Sequence, residues 1–286
     1  SSGGQGGTLR VSFSGLTSPA DGSVTVRTTT VVPEGRAGLA YGGIPTSTAL
    51  TDPSYICGLR QNETDRSNVA IQHVGTAEDG NISLQLTVVS GAGGAAISKV
   101  LPDQVLAPGG FAQINGILTS NGLELSNGYV RVERVSGTAP YYAYGVINDQ
   151  FNSDGSFIPP VLESALAGKT RMALPVVVET TAFSTELVVT NWSTSKKTLG
   201  CRFVSDNVSM PDLTASFTMD VNPFQQLIWP ELVQKLRDSQ ITGIGARGLT
   251  YAGALLISVS TGDLSGISVA ARTSAAGGGG RYGLYY

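Results

Sequence analysis

The feature that most constrains this chain is that it repeats itself. One pattern occurs three times: GTLRVSFSG then VTVRTTT (Gly7 to Thr30), GYVRVERVSG then YYAYGVIND (Gly128 to Asp149), and GALLISVSTG then ISVAARTS (Gly253 to Ser274). Each couples two runs of alternating apolar and polar residues through a Gly-bearing turn. Successive side chains of a strand point to opposite faces, so the pattern predicts a β-hairpin each time. The following residues repeat as well: GRAGLAY (Gly35 to Tyr41) matches GRYGLYY (Gly280 to Tyr286) at Gly, Arg, Gly, Leu and Tyr. SNVAIQHVG (Ser67 to Gly75) aligns with TELVVTNWS (Thr185 to Ser193), and LAPGGFAQINGIL (Leu106 to Leu118) with VNPFQQLIWPELV (Val221 to Val233). The repeat is about 120 residues long, a whole domain rather than the rung of a solenoid.

The phase of the repeat divides the chain. Residues 1–43 form a partial repeat, a β-hairpin arm and connecting strand; residues 44–164 are the first full repeat and residues 165–286 the second. ESALAGK (Glu163 to Lys169) reads as the linker, matching PTSTALTD (Pro45 to Asp52). Strand-like runs broken by turn signals every ~8 to 12 residues predict two antiparallel sheets packed face to face. The expected fold is therefore all-β: two tandem immunoglobulin-like β-sandwich repeats preceded by the hairpin arm. The likeness is one of architecture, because the cysteine and tryptophan arrangement of antibody domains is missing. One segment departs from strand periodicity: ELVQKLRDSQI (Glu231 to Ile241) places Leu232, Val233, Leu236 and Ile241 at helical spacing, and predicts a short helix plugging the open end of a sandwich.

Composition narrows the function classes. Charged residues make up 14% of the chain against 37 glycines, and the formal charge is −3, so no basic surface invites a nucleic acid. No stretch has the ~20 consecutive apolar residues of a membrane-spanning helix. The N-terminal Ser1 to Gly4 has no apolar signal region, which suggests a removed signal or a piece of something longer, and the Gly-rich Ser1 to Gly7 reads as a flexible hinge. Cys57 and Cys201 lie far apart in strand-like surroundings and read as small buried apolar residues rather than a disulfide framework. Asn-x-Ser/Thr sequons begin at Asn62, Asn81, Asn191 and Asn207.

The order of GLRQNETDRSN, LAPGGFAQINGIL, GYVRVERVSGTAPYYAYGVINDQFNSDGSF and LPVVVETTAFSTELVVTN resembles that in long secreted tandem-repeat β-sandwich surface proteins of environmental bacteria. The resemblance covers nearly the whole chain. It implies an exported array, extracellular or on the cell surface, and brings no catalytic residues with it.

Chemistry-bearing residues are sparse. A hydrolytic triad ordinarily needs a histidine to move the proton, and the one histidine, His73, sits in a strand with Asn191 as its counterpart, which points to a structural role. Gly243-Ile-Gly245-Ala-Arg-Gly248 fits GxGxxG, yet it leaves a helix and enters a strand, the reverse of a nucleotide-binding turn. Ser193-Thr-Ser-Lys196 fits SxxK without the helical turn that would bring Lys196 alongside Ser193. No catalytic or cofactor-binding residue is therefore assigned, and the chain reads as a non-enzyme. Asp149, Asn152 and Asp154 form an oxygen-rich loop and are a weak calcium candidate, set against an ordinary Asx-type turn. Tyr129, Tyr142 and Tyr144, with Tyr141 and Phe151 nearby, offer a platform for a sugar ring if they share a surface.

The expected function is a non-enzymatic extracellular structural protein, a segment of a filament or repeat array assembled head to tail by strand or hairpin complementation. An isolated hairpin is marginal in water, so the arm must dock somewhere. Its interface residues would be Leu9, Val11, Phe13, Val24 and Val26, with Leu284, Tyr285 and Tyr286 at the other end. The alternative is an adhesin or glycan-binding module presented on the sandwiches, with surface glycans as partners.

Overall fold

The computed structural model describes residues 7–18, 21–33, 35–94, 97–205, 214–277 and 279–286. Strands β1 (Thr25–Val32) and β2 (Gly35–Gly42) form a separate hairpin. The first sandwich follows: β3 (Ser54–Arg60), β4 (Asp65–His73), β5 (Ile82–Ser90), β6 (Ser98–Val100), β7 (Gln104–Leu106), β8 (Phe111–Ile114), β9 (Asn127–Ser136), β10 (Tyr141–Asp149), β11 (Gly155–Ile158) and β12 (Val161–Leu162). One layer runs β12-β3-β9-β5-β6, with β7 also on β5; the other runs β11-β10-β4-β8. Ile56, Leu86, Val130 and Val132 from the first layer meet Val69, Ile71, Ala143 and Ile147 from the second in one buried cluster.

The second sandwich comprises β13 (Arg171–Glu179), β14 (Phe183–Asn191), β15 (Lys197–Ser205), β16 (Thr214–Val221), β17 (Gln226–Trp229), helix α1 (Leu232–Asp238), β18 (Tyr251–Ser258), β19 (Ile267–Gly277) and β20 (Gly280–Tyr285). Its layers, β16-β15-β18-β13 and β17-β14-β19-β20, touch through the single pair Glu179 and Ser184 at a corner. Leu174, Phe203 and Leu255 face Leu187, Val189 and Ala271 across its core.

The two strand orders correspond, and so do the ladders. Ile56 pairs with Val130 and Leu59 with Gly128, the register shifting between them; Leu174 pairs with Leu255 and Val177 with Gly253, with the same shift. A bulge inserts a residue and bends its strand, and here it recurs at one place in both sandwiches. Gly128 and Gly253 occupy the same position beside it, because each strand presses against a carbonyl of the next. A side chain on Gly128 would stand 2.6 Å from the Val89 oxygen, and one on Gly253 would overlap the Val204 oxygen.

Two sequence expectations are corrected. The paired runs ending in Asp149 and Ser274 are not hairpins: β9 and β10 lie in opposite layers, as do β18 and β19. Alternation marks a strand with one buried face but says nothing about its partner, and a Gly-bearing turn serves an arch between layers as well as a hairpin; Gly137 makes that arch with φ +81. Nor is the run Thr8 to Ser14 a strand. Its counterparts β9 and β18 sit between two ladder partners each, and no counterpart of those partners accompanies it. The hairpin near the N-terminus is instead β1 with β2, and it repeats β19 with β20: Arg27 faces Ala40 and Val32 faces Gly35, as Arg272 faces Tyr285 and Gly277 faces Gly280.

The expected helix is α1, with Leu232, Val233 and Leu236 buried and Ile241 half-buried in the second core. Arg237 ties it to Glu179 at 2.6 Å, closing the corner where the two layers meet. Gly253→Ala is expected to lower the stability of the chain by about 2 kcal/mol, as overpacked positions do, seen as an earlier urea midpoint; an unchanged midpoint would contradict the close approach.

Candidate functional site

The most elaborate constellation in the molecule lies between the two sandwiches. The outer face of β17, β14, β19 and β20 covers the outer face of the layer containing β3 and β9. Val188, Ala270 and Tyr285 of the second sandwich belong to the same buried cluster as Ile56 and Leu59 of the first. Trp192, which follows β14, stacks on Tyr55 of β3, with ring centroids 4.3 Å apart and planes inclined by 14°.

Charged groups are buried in this contact, each with a partner. The guanidinium of Arg60 faces the Glu186 carboxylate bidentately, Nη2 donating to Oε1 at 2.5 Å, with side chains only 5% and 7% exposed. Arg60 also donates to the Gly58 carbonyl. Burial alone would lower the Arg60 pKa, but the Glu186 carboxylate more than offsets it and holds it above the ordinary value. Arg272 donates through Nε to Ser156 Oγ at 2.9 Å and meets Asp65 Oδ1 at 3.3 Å. Gln226 is a polar hub. Its Oε1 accepts the Gly58 amide, while its Nε2 donates to Asn127 Oδ1 at 2.6 Å and to the Gly128 carbonyl at 2.9 Å.

Tyr285 completes the seam by donating its hydroxyl to the Cys57 carbonyl at 3.2 Å, and burial pushes its phenol well above the usual range. It reaches that carbonyl because Gly58, at φ +88, has no side chain to obstruct it.

The loop proposed for calcium belongs to the same seam. Asp149 Oδ1 accepts the amides of Phe151 and Asn152, and its Oδ2 accepts the amide of Arg281 on β20. Asn152 donates to the Arg281 carbonyl, and its Oδ1 accepts the Asp154 amide. Asp154 takes the Gly283 amide on one oxygen at 2.9 Å and the Gly38 amide of β2 on the other at 3.4 Å. Its pKa is raised, burial outweighing those two amides. These oxygens accept amides within the loop and from neighbouring strands, the Asx-type turn set against calcium, extended here into a clamp. Among the described residues, no group of three or more His, Cys, Asp and Glu side chains is placed to hold a metal ion.

The tyrosine platform is not assembled. Tyr129 is fully buried beside Tyr55 and Cys57 in the seam, whereas Tyr142 and Tyr144 lie on β10. Tyr144 is half-buried against Tyr41 and Phe157, and Tyr142 is only 7% exposed. The expectation failed because β9 and β10, treated as neighbours, are in different layers.

The expected assembly residues divide. Leu9, Val11, Phe13, Val26 and Leu284 are exposed and Val24 is half-buried, but Tyr285 is committed to the seam. Tyr286 is half-buried, its hydroxyl donating to the Val176 carbonyl at 2.9 Å.

The motif fragments are structural. His73 is buried, bonded through Nε2 to the Gly80 carbonyl and accepting the Gly75 amide on Nδ1. Asn191, its counterpart, is also buried, with Nδ2 on the carbonyls of Ser195, Val221 and Asn222, so that sequon is sealed in the fold. Asn62 and Asn81 are exposed, and the sequon at Asn207 lies outside the described residues, as do Ser1 to Gly6 of the leader. The Gly245 amide is taken by the Tyr251 hydroxyl, and Lys196 pairs with Asp220 rather than approaching Ser193. No helix among the described residues is long and apolar enough to cross a membrane.

Neither protein-family models nor curated protein sequences yield a match to this chain.

The sequence reading missed Arg60, Asp65, Glu186, Gln226 and Arg272. For the four charged residues the signal was present: in a chain this poor in charge, ionisable residues inside strands of otherwise apolar outer faces mark a buried contact.

Removing one partner of a buried ion pair strands the other, so Glu186→Ala is expected to cost about 3–5 kcal/mol, while Arg60→Met with Glu186→Leu costs far less. Urea titrations of the three chains check this, and equal losses would refute it. Cys57 and Cys201 are buried free thiols, both pushed up to about 12 by burial. They are expected to resist a thiol-specific reagent at pH 8 in the folded chain and both to react in denaturant, because the thiolate is the reactive form.

Proposed function

We propose that the chain is a non-enzymatic structural segment of an extracellular filament or cell-surface array, whose units join by contacts that can be repeated. The observation that carries this reading is the hairpin β1–β2, a copy of β19–β20 in register. In the full sandwiches the first strand of that hairpin has two neighbours: β19 lies between β14 and β20, and β10 between β4 and β11. Among the described residues β1 pairs with β2 alone, which leaves its far edge open for an added strand. The hairpin sits on the first sandwich by one face, with Ala37 and Leu39 buried and Tyr41 edge-on to Tyr144 and Phe157, leaving that edge unused.

The family resemblance supports placement outside the cell. A glycan-binding reading would need Tyr129, Tyr142 and Tyr144 on one surface, so it is not taken further.

Of the neighbours Thr28 and Thr29, one directs its amide away from β2, because amides alternate across an antiparallel pair. Electron microscopy of the concentrated chain is expected to show end-to-end strings that vanish on proline substitution of that residue. Single particles at every concentration would sink the proposal.

A further inference from the structure

We propose that the outer face of β15, β18 and β13 is a docking surface for a second copy of this chain, which seats the outer face of its own β8, β4, β10 and β11 there, head to tail. The inference deepens the assembly reading and rests on it, but it names a surface distant in sequence from the β1 edge.

Because the ladders correspond, every residue of the seam between the sandwiches has a counterpart. On the first sandwich the receiving face is covered: Tyr55 is 6% exposed and Cys57 1%. On the second sandwich the same face is open. Val176 is 41% exposed and Leu256 43%, with Ala173, Pro175 and Ala252 exposed around them. These side chains form an apolar patch on a central set of strands, with the exposed Arg202 of β15 opposite Leu256, and a patch of this kind is uncommon on a monomer.

The occupant is indicated by how the polar pairs of the seam change. Asp65 on the receiving side and Arg272 on the docking side form one pair; their counterparts are Phe183, 48% exposed, and Val146. Asn127 and Gln226 form a second, and their counterparts are Ala252 and Phe111. At the bulge, Gly58 leaves room for the Tyr285 hydroxyl; there the receiving face has Val176 and the docking face Phe157. A side chain is gained on one surface where a hydroxyl is lost from the other. Arg60 and Glu186 become Val178 and Asn68, whose carbonyl is already satisfied by the Gly116 amide.

A change on one surface alone would leave a charge or amide buried without a partner, a cost well above that of losing both. At these positions the polar partners have instead gone from both surfaces together, which keeps a contact between them and makes it more apolar there, while Gln113 takes the place of Ile228 on one surface and Arg202 stands on the other. The two surfaces are different patches, so the contact is heterologous and does not close.

The docking face of the first sandwich is covered by the N-terminal arm of its own chain: Asn68, Ala70 and Tyr142 are buried there, and Tyr41 of β2 lies edge-on to Tyr144 and Phe157. Thr8 donates to Gln72 at 3.1 Å, and Arg10 donates to the carbonyls of Val74 at 3.0 Å and Gly75 at 2.7 Å. Residues 8–14 are the sequence counterpart of β9, a receiving strand, and so occupy the place an incoming receiving face would take. Together with the β1–β2 hairpin, which lies over Tyr144 and Phe157, they act as a placeholder that the second copy displaces.

Sedimentation velocity of the full chain across a concentration series tests this. The parent is expected to self-associate. Val176→Asp with Leu256→Asp weakens association by about tenfold or more without altering thermal unfolding, and Arg10→Ala strengthens it several-fold. Should the double variant unfold, Leu256→Lys serves in its place. A mixture of the Asp variant with a Val146→Glu chain, each blocked on one side, is expected to stop at dimers. Association undiminished in the Asp variant overturns the docking face while leaving the β1 edge as the route of assembly. A Val146→Glu chain that associates like the parent overturns the head-to-tail arrangement. Parent and Arg10→Ala chains that both stay monomeric at millimolar concentration overturn this inference and the assembly reading together.

Discussion

The arrangement of this molecule depends on one desolvated contact, the seam in which Arg60 meets Glu186 between two sheets. Ionised groups taken out of water are tolerated only when each finds its complement, and the seam supplies several at once: Glu186 for Arg60, Asp65 and Ser156 for Arg272, and backbone polar groups for Gln226. Because these partners come from both sandwiches, their relative position is fixed to the precision of hydrogen bonds rather than of apolar packing. The clamp loop at Asp149 and Asp154 adds to that, gripping the backbone of β20 where side-chain identity is irrelevant. The registry between the two sandwiches is obtained here from few charges.

The sequence made the layered all-β fold legible because its runs alternate and repeat. The helix was legible from a single apolar stripe. Strand partnership was not legible: GYVRVERVSG and YYAYGVIND read as a hairpin, yet they face each other across the core. Local alternation encodes which side of a strand is buried, whereas pairing is decided by residues far away, here β3 and β5 for β9 and β4 for β10. The misplaced tyrosine platform followed from that one error.

The seam was half legible. Asp149, Asn152 and Asp154 stood out as an oxygen-rich loop, but sequence alone does not distinguish carboxylates awaiting a cation from carboxylates satisfied by amides of a distant strand such as Arg281 and Gly283. Arg60 and Glu186 were legible only in retrospect, as charges on strands with little other reason to hold them. Gln226 had no signal at all, since an amide at the start of a short strand reads as a turn residue. Its importance comes from the groups of Gly58, Leu59, Asn127, Gly128 and Thr190 that converge on its side chain in space.

The way the β1–β2 hairpin is attached bears on how the chain would carry load. Among the described residues it joins the first sandwich by the side chains of one face and a long bond from Gly38 to Asp154, without a ladder to another sheet. Elements held by few buried contacts open first. Tension applied at the N-terminal end would peel this hairpin away while the sandwiches and their seam stayed intact. Once drawn out, a segment of that size releases about 60 Å of chain, an extensible lead ahead of the two sandwiches.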